Sequence, residues 1–329
     1  MRLIPSFTVF LLLLFFTAYA SAQDTLKITF GSCNNQDKPQ HLWDDILSDV
    51  PDIWVWLGDN IYGEGQDAEG LRRLYLRQKQ HPDYEKLLAT AFITGIWDDH
   101  DYGVNDGGKH FLYKRESQKE FLDFLAVSAN DHRRTQKGIY TVHWLDQKSG
   151  IKVRLILLDT RYFRDDAIRT KDGYTPNEKG SILGKEQWSW LEKELKENKA
   201  EITLFASGIQ VIPAEHRFEK WSNFPNERKK LFNLIRKYKV AHPIILSGDR
   251  HIAEISRIEW KRHTILEVTS SSLTHSYGTN TFEPNAYRVG KLINVDNYGL
   301  LQVWKENDQV VYKVQLKGEG GVILQEFKE

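Results

Sequence analysis

Cysteine, net charge and long apolar segments are scarce in this chain, and each shortage excludes a class of protein. Cys33 is the only cysteine among 329 residues, so no internal disulfide can form. The 45 basic residues balance the 45 acidic residues, which removes the electrostatic field that favours nucleic acid or an anionic membrane as a partner. After the first 22 residues no apolar run approaches the roughly 20 residues of a membrane-spanning helix.

The first 22 residues have the pattern of a cleavable export signal. Met1-Arg2 is a short basic region, residues 9–16 are unbroken apolar sequence, and Ala20-Ser21-Ala22 matches an A-x-A cleavage site. We therefore predict a signal peptide over residues 1–22 and a single catalytic domain over residues 23–329, located in the periplasm or outside the cell. A free cysteine is unusual in an exported protein, because exposed thiols oxidise there.

Hydrophobic periodicity predicts an α/β fold. Apolar runs of strand length alternate with helical patterns through the first 250 residues, and the rest is rich in strand patterns. The run at 51–56 is typical of a buried strand, and 184–198 of an amphipathic helix. There is no internal repeat, low-complexity tract or Pro/Gly-rich linker. This order favours two sheets stacked between helical layers.

Acidic residues and histidines follow several of the predicted strands directly. Asp59 comes shortly after the run at 51–56, the Asp98-Asp99-His100 run after a strand at 92–96, and Asp249 with His251 after a strand at 242–247. Ligands of open α/β sheets bind beyond the carboxyl ends of the strands, where carboxylates and imidazoles can hold a metal ion. Cys33 ends a fourth strand, and a thiolate suits a transition metal. The pattern indicates a metal-dependent hydrolase.

Six motifs along the chain resemble, in their order, those of the PhoD-like alkaline phosphatase/phosphodiesterases, which share the wider calcineurin-like metallophosphatase architecture. They are Gly31-Ser32-Cys33, Leu57-Gly58-Asp59-Asn60-Ile61-Tyr62, residues 97–106, residues 158–164, Ser247-Gly248-Asp249-Arg250-His251 and residues 269–275. The resemblance implies a four-layer αββα sandwich of two mixed sheets flanked by helices. It also implies hydrolysis of phosphate esters with iron(III) and one or two calcium ions, although other divalent metals could serve.

The resemblance assigns metal ligands, and several of them have a simpler structural alternative. Asp59 would bridge two ions or cap the following segment; Tyr62 would bind iron(III) as phenolate or lie in the core; Asn105 would bind calcium or only shape its turn. Asp99 is the ligand by correspondence, with Asp98 as the alternative. The full predicted set is Cys33, Asp59, Tyr62, Asp99, Asn105, Asp249 and His251.

Two further residues are candidates for direct roles in catalysis. His100 would steady a phosphate oxygen or protonate the leaving group. Arg161 would clamp two phosphate oxygens, or else form an ion pair with Asp159 or Asp165. Neither a nucleophile elbow nor a P-loop is present, which favours attack by a metal-bound hydroxide. A serine nucleophile from Ser270–Ser272 is the rival mechanism.

The expected partner is a small-molecule or lipid phosphate ester, bound by a monomer. Phosphodiesters, phosphomonoesters and phospholipid head groups are the candidate substrates, and no nucleic-acid partner is expected. Tryptophans near the motifs would form an apolar rim or, as we favour, belong to the core. A non-enzymatic calcium-dependent binding module is the alternative from another class of function. Cys33 and Tyr62 argue against it, because calcium does not select such ligands.

Overall fold

The structure is a computed structural model that describes residues 25–145, 150–197, 199–278 and 282–329. The predicted signal peptide at residues 1–22 lies outside the described residues. Among the helices that are described, none combines the length and the apolar character needed to cross a membrane.

The described residues form seven α-helices and fifteen strands. The helices are α1 (Leu42–Ser48), α2 (Ala68–Lys79), α3 (Pro82–Thr90), α4 (Asp99–Tyr102), α5 (Lys114–Phe124), α6 (Gly184–Lys196) and α7 (Pro225–Lys237). The strands are β1 (Leu26–Gly31), β2 (Ile53–Leu57), β3 (Phe92–Ile96), β4 (Thr141–Trp144), β5 (Val153–Leu157), β6 (Ile168–Thr170), β7 (Gly173–Thr175), β8 (Ile202–Ser207), β9 (Pro243–Ser247), β10 (Ala253–Glu259), β11 (Thr264–Ser270), β12 (Arg288–Ile293), β13 (Tyr298–Glu306), β14 (Gln309–Lys317) and β15 (Ile323–Lys328).

Two large mixed sheets make up the centre of the fold. The first has the strand order β15-β14-β13-β1-β2-β3, and the second β12-β10-β11-β9-β8-β5-β4. Strands β1, β2 and β3 run parallel, as do β5, β8, β9 and β11. Each parallel set therefore brings the carboxyl ends of its strands to one edge of its sheet.

Alternation along β2 shows how the first sheet is covered. Trp54 and Trp56 lie on one face and pack edge-on against Trp43 of α1, with ring centroids 5.0 and 5.5 Å apart. Val55 and Leu57 point to the opposite face, because successive strand side chains alternate. The same core cluster includes apolar residues of the second sheet, such as Leu204 and Leu246. One face of the first sheet thus meets helices and the other meets the second sheet.

The second sheet has a helical layer on its outer face. Phe205 of β8 lies between Leu204 and Ala206 in sequence and joins a separate core cluster with residues of α6 and α7, including Leu191 and Leu231. The order of layers is helices, sheet, sheet, helices, which confirms the predicted α/β fold with its four αββα layers. The interpretation of the tryptophans as core holds for Trp43, Trp54, Trp56, Trp97 and Trp221, which are buried, whereas Trp144 is 43% exposed.

Candidate metal centre

Four parallel strands of the two sheets end at one edge, and the residues that follow them form the candidate site. Cys33 follows β1 and Asp59 follows β2 in the first sheet, Asp99 begins α4 shortly after β3, and Asp249 follows β9 in the second sheet. Side-chain donor atoms of these residues form overlapping groups, within each of which all atoms lie within 4.8 Å of one another. The site is therefore built where the two sheets meet.

Two glycines allow the strand ends to approach so closely. Gly58 has a φ of +97°, and a Cβ atom there would collide with Asp98. A Cβ atom on Gly248 would lie 2.5 Å from the carbonyl oxygen of Leu57 and 2.6 Å from the hydroxyl of Ser32. Only a residue without a side chain fits at these positions, because the backbones at the ends of β2 and β9 are in contact.

One half of the site has a mixed donor set suited to a transition metal. Cys33 Sγ lies 3.5 Å from Asp59 Oδ2, and Tyr62 Oη lies 3.4 Å from His251 Nε2. Cys33, Asp59 and His251 can place one ligand atom each within 4.8 Å of the others. A thiol, an imidazole and a phenol around one carboxylate are ligands that iron accepts and calcium does not prefer.

The hydrogen bonds of His251 prepare one of its ring nitrogens for a metal ion. Nδ1 lies 3.1 Å from the carbonyl oxygen of His275, and since a carbonyl can only accept, Nδ1 carries the proton. Burial lowers the pKa of His251, so the ring is neutral and the lone pair of Nε2 faces the Tyr62 hydroxyl 3.4 Å away. A metal-binding histidine usually donates the N–H of its other ring nitrogen to a backbone carbonyl or a carboxylate, as Nδ1 does here.

The acidity of the thiol and the phenol also depends on a cation. Burial raises the pKa of the Cys33 thiol, and burial together with Cys33 and Asp59 raises the pKa of Tyr62 well above its usual value. Both groups are therefore protonated in the protein alone. A bound metal ion reverses this balance, because its positive charge stabilises thiolate and phenolate.

The other half of the site is a cluster of carboxylates. Asp59, Asp98, Asp99 and Asp249 can bring one oxygen each within 4.8 Å of the others. Burial, and then repulsion from neighbouring negative groups, raises the pKa of Asp59 and of Asp249 well above its usual range. So many buried carboxylates are compatible with ionisation only when cations lie between them.

The contacts of Asp98 and Asp99 distinguish between the two candidate ligands. Asp98 accepts two hydrogen bonds of 2.7 Å from the guanidinium of Arg161, one from Nε and one from Nη2. Asp99 accepts a 2.7 Å bond at Oδ2 from the backbone of Asp106, while its Oδ1 is buried without a hydrogen-bond partner. A buried carboxylate oxygen without a donor suits a metal ligand, so this geometry favours Asp99.

Arg161 is held by acidic residues in the interior. Its side chain has no exposed surface, and besides Asp98 it contacts Glu219, with Nη1 2.7 Å from Oε2. The ion-pair alternative is therefore the one that the structure shows, but Asp159 and Asp165 were the wrong partners. Asp159 instead accepts hydrogen bonds from the backbone N–H groups of Arg161 and Tyr162. The predicted clamp on phosphate would require these ion pairs to open, and it stays a prediction.

His100 lies beside the metal ligands and remains partly exposed. Its ring is 4.3 Å from that of Tyr62, centroid to centroid. Its Nδ1 lies 2.6 Å from Oε1 of Glu64, a residue in the loop that follows β2. This pairing leaves Nε2 as the nitrogen that can face a substrate, so the arrangement is compatible with a role in proton transfer.

Two residues of the site were not predicted, and one predicted ligand lies at its border. Asp106 and Glu219 form a further acidic group with Asp99. Neither follows a strand directly, so the pattern of acidic residues and histidines after predicted strands did not indicate them. Asn105, next to Asp106, is exposed, and its role as a calcium ligand stays a prediction.

Backbone conformation sets the site residues apart. Cys33, Asp59, Asp106, Asp249 and His251 all have φ between 50° and 71°. L-residues avoid this left-handed region, which costs roughly 1–3 kcal/mol per residue and persists where surrounding structure enforces it. Such conformations cluster at functional sites, in agreement with the donor groups found here.

Most of this chain matches the model of one known protein family. A family model described as PhoD-like phosphatase matches residues 28–325. Alkaline phosphatase D of Bacillus subtilis (strain 168) is 27% identical over 132 residues, which are 36% of this chain and 22% of that protein. The matched part thus spans less than a quarter of that relative.

Two solved structures show the same fold at low sequence identity. The structure of PhoD has a TM-score of 0.75 and 17% identity, and the match covers 93% of this chain and 68% of that one. GAP50, described as the anchor in the inner membrane complex of Plasmodium, has a TM-score of 0.60 and 12% identity, with 93% and 89% covered.

Proposed function

Because this chain belongs to the PhoD-like phosphatase family, we propose that it is a metal-dependent phosphoesterase whose catalytic centre is the site described above. The observation that carries the proposal is the meeting of Cys33, Asp59 and His251 with the carboxylates of Asp99 and Asp249. These groups come from both sheets and are largely buried. Their carboxylates would repel one another in the metal-free protein, and a purely structural role does not explain why the fold places them together.

The donor set fits two kinds of ion. Cys33, Tyr62 and His251 would hold iron(III), Asp99 and Asp249 would hold calcium, and Asp59 would contribute to both. When bound, the ions supply positive charge that neutralises phosphate oxygens and acidifies water. The buried Asp99 Oδ1 without a hydrogen-bond partner supports the calcium position.

The residues around the ions have separable tasks. Arg161 holds Asp98 and Glu219 in the interior and thereby positions the segment that begins α4. His100, oriented by Glu64, lies where it can give a proton to the leaving oxygen of the ester. Phosphodiesters and phosphomonoesters are both compatible with these roles.

We propose that water takes the phosphoryl group directly. The rival nucleophile is a serine of Ser270–Ser272, and Ser271 is already engaged: its Oγ lies 3.1 Å from Cys33 Sγ and accepts a 2.9 Å bond from the backbone of His251. Rapid-quench mass spectrometry during turnover is expected to show no phosphoserine. A phosphoserine adduct at this loop would contradict direct transfer.

The test of the proposed function combines metal analysis with activity. Purified protein is expected to contain iron and calcium, to absorb visible light through Tyr62 or Cys33 bound to iron(III), and to hydrolyse simple phosphate esters. Asp249→Asn is expected to lose at least about a hundredfold in kcat/KM, because a metal ligand is missing. Glu259→Gln, at the exposed end of β10, is the control. Protein that is loaded with both metals but does not cleave esters would contradict the proposal.

We also propose that the chain is exported and cleaved after Ala22. The basic start, the apolar run and the A-x-A site of residues 1–22 support it. N-terminal sequencing of protein from the periplasm or the medium is expected to begin at Gln23, whereas an intact Met1 would contradict export by this signal.

A further inference from the structure

A cavity of about 700 Å³ lies beside the metal centre. Its size is typical of small-molecule sites, which measure roughly 300–1,000 Å³. It is lined by Glu215, His216, Arg217, Phe218, Tyr277, Phe282, Glu283 and Pro284. None of these residues belongs to the ligand set of the proposed function, so the cavity calls for a separate explanation.

The cavity adjoins the metal centre through two contacts. Tyr277 stacks on the ring of His251, with centroids 4.5 Å apart and planes inclined by 30°. Phe218 packs under Arg250, whose guanidinium carbon is 3.9 Å from the ring centroid. Arg250 lies between Asp249 and His251 in sequence, so both walls of the cavity are attached to the ligand-bearing segment. A group bound here can belong to the same molecule as a phosphate at the metals.

The walls of the cavity are aromatic and partly open. Tyr277 is 44% exposed and Phe282 is 81% exposed, although both have large apolar surfaces. Phe218 and Pro284 complete the apolar lining. Exposed aromatic side chains that surround a cavity are typical of a ligand site, since flat π systems stack on them.

One residue of the cavity lining also has a buried hydrogen-bond donor without a partner. His216 is 4% exposed, and its Nδ1 accepts a 3.3 Å bond from the backbone N–H of Phe218. Burial lowers the pKa of His216 well below its usual value, so the ring is neutral and Nε2 carries the single proton. No hydrogen-bond partner for Nε2 is found among the described residues. A buried donor of this kind requires an acceptor, and a ligand would supply it.

Two of the three charged groups of the lining accept hydrogen bonds, and the third, Arg217, lies over the Phe218 ring with its guanidinium carbon 5.2 Å from the centroid. Glu283 accepts bonds of 2.9 and 2.7 Å from Nη2 of Arg250, and Glu215 accepts a 2.6 Å bond from the backbone of Ala286. The cavity therefore offers aromatic faces, the guanidinium of Arg217 and one neutral donor. An acyl chain would leave that donor unsatisfied, whereas a flat ring with a lone pair in its plane would satisfy both features.

We infer that this cavity is a subsite for a planar aromatic group of the substrate, one that bears a hydrogen-bond acceptor and is joined to the phosphate ester. The inference rests on the proposed function, since the phosphate is placed at the metal centre. A nucleobase is the biological group with this chemistry: it stacks between Phe218, Tyr277 and Phe282 and accepts a hydrogen bond from His216 Nε2. Nucleoside phosphate esters are thus the preferred substrate class.

The test compares two esters that differ only in the base. The methyl esters of adenosine 5′-phosphate and of ribose 5-phosphate are hydrolysed separately, and their products are measured by mass spectrometry. The adenosine ester is expected to have a kcat/KM at least roughly tenfold higher, because stacking of one base on aromatic side chains has that effect or more. Equal values for the two esters would overturn the inference and leave the proposed function intact.

Variants of the lining test the assignment of the subsite. Phe282→Ser, at a largely exposed position, is expected to reduce the ratio of the two kcat/KM values toward one. His216→Asn removes the Nε2 donor and is expected to reduce the ratio, whereas His216→Gln, which keeps a donor at that reach, retains more of it. Val322→Ser, at an exposed position in the turn between β14 and β15, is the control and keeps the wild-type ratio. An undiminished ratio in Phe282→Ser and His216→Asn would overturn the inference.

A binding measurement separates failure of the subsite from failure of catalysis. Isothermal titration of the metal-loaded protein with adenosine 5′-monophosphate and with ribose 5-phosphate is expected to show at least roughly tenfold tighter binding of the former. This result would support the subsite even if neither ester were cleaved, in which case only the proposed function would be wrong. Equal affinities would overturn the subsite.

Discussion

Left-handed backbone conformations of single residues have different physical consequences in the candidate site and at Val50. In the candidate site most of these residues lie just after the ends of neighbouring strands. Their strained conformation occurs where ligand atoms are brought together. Val50, by contrast, follows α1, has a φ of 50° and is 68% exposed. No donor role explains a β-branched residue there, so its strain is a cost that can be removed.

Val50→Gly is expected to stabilise the protein. The left-handed conformation costs an L-residue about 1–2 kcal/mol, and the larger entropy of glycine in the unfolded chain offsets part of this gain. The free energy of unfolding in urea should rise by about 1 kcal/mol. Val322→Gly is the matched control: Val322 is 57% exposed with a φ of −63°, and there glycine should destabilise. If both variants lost stability equally, strain at Val50 would not be the cause.

Cys33 is expected to determine which metal the site takes. Cys33→Ser replaces a soft thiolate by a hard hydroxyl, so the iron content and the visible absorption should fall while bound calcium persists. Elemental analysis and absorption spectroscopy of the purified variant check this. Ser271→Ala is the comparison, because it removes the hydroxyl 3.1 Å from Sγ and keeps the thiol. Unchanged iron in Cys33→Ser would show that the thiol is only a buried core group.

At the scale of elements, the short helix α4 shows where sequence patterns were sufficient and where they were not. The strand predicted at 92–96 has the bounds of β3, and the helix predicted at 184–198 begins where α6 begins and ends two residues beyond it, because both segments show their apolar pattern over most of their length. Helix α4 has four residues, too few for a helical period, so it was not predicted although its aspartates were. The hairpin of β6 and β7 was missed for the same reason, since each strand has only three residues.

Glu64 is expected to act on His100 as a positioning residue. Glu64 belongs to the loop after β2, His100 belongs to α4, and their side chains are 2.6 Å apart. Glu64→Gln should lower kcat about tenfold and change KM little, because the imidazole loses its orienting carboxylate. The pH profile of kcat should shift as well, which a merely structural change would not cause. Glu69→Gln, on the exposed face of α2, is the control, and an equal effect of both variants would contradict this role.

Strand β11 contains a carboxyl group that makes stability depend on pH. Glu267 accepts a 2.9 Å bond from the backbone of Val211, and burial raises its pKa to about 7 from 4.5. Because the pKa is higher in the folded state, the stabilisation is complete below about pH 4.5 and is lost as the pH rises through about 7.

Comparison of wild type with Glu267→Gln isolates this contribution. From pH 4.5 to pH 8 the free energy of unfolding of the wild type is expected to fall by roughly 2–3 kcal/mol relative to the variant. Urea unfolding at a series of pH values measures both proteins under the same conditions. The exposed Glu259→Gln should show no such trend, and a constant difference between wild type and Glu267→Gln would contradict the raised pKa.

At the scale of the whole molecule, the sequence predicted those residues of the candidate site that follow strands. It did not predict those that long loops bring to the site. Asp59 and Asp249 directly follow apolar strands, and parallel strands of an α/β fold bring such residues to a common edge. Glu219 lies in the loop between β8 and α7 and reaches Arg161 across 58 residues of sequence. A contact of this kind depends on the three-dimensional path of the loop, which apolar periodicity does not encode.

The location of the site between the two sheets links metal binding to the stability of the whole fold. Asp59 follows β2 in the first sheet, and Asp249 follows β9 in the second. Ions between them neutralise buried carboxylates of both sheets, and their removal leaves like charges facing each other. Ligand binding at a hundred times Kd contributes about 2.7 kcal/mol, and with an unfolding entropy of about 2.1 cal/mol/K per residue each kcal/mol shifts the Tm of a chain of 329 residues by roughly 1.5 °C.

Chelation of the metals is therefore expected to lower Tm by at least about 4 °C. Calorimetry of the purified protein before and after dialysis against a chelator measures the change, and restored metals should reverse it. The same treatment of the double variant Asp59→Asn/Asp249→Asn should have little effect, because that protein no longer holds the ions and two of the repelling charges are gone. If chelator removed the metals from the wild type without lowering Tm, the buried carboxylates would be stable without cations, and the electrostatic basis of the proposed centre would be wrong.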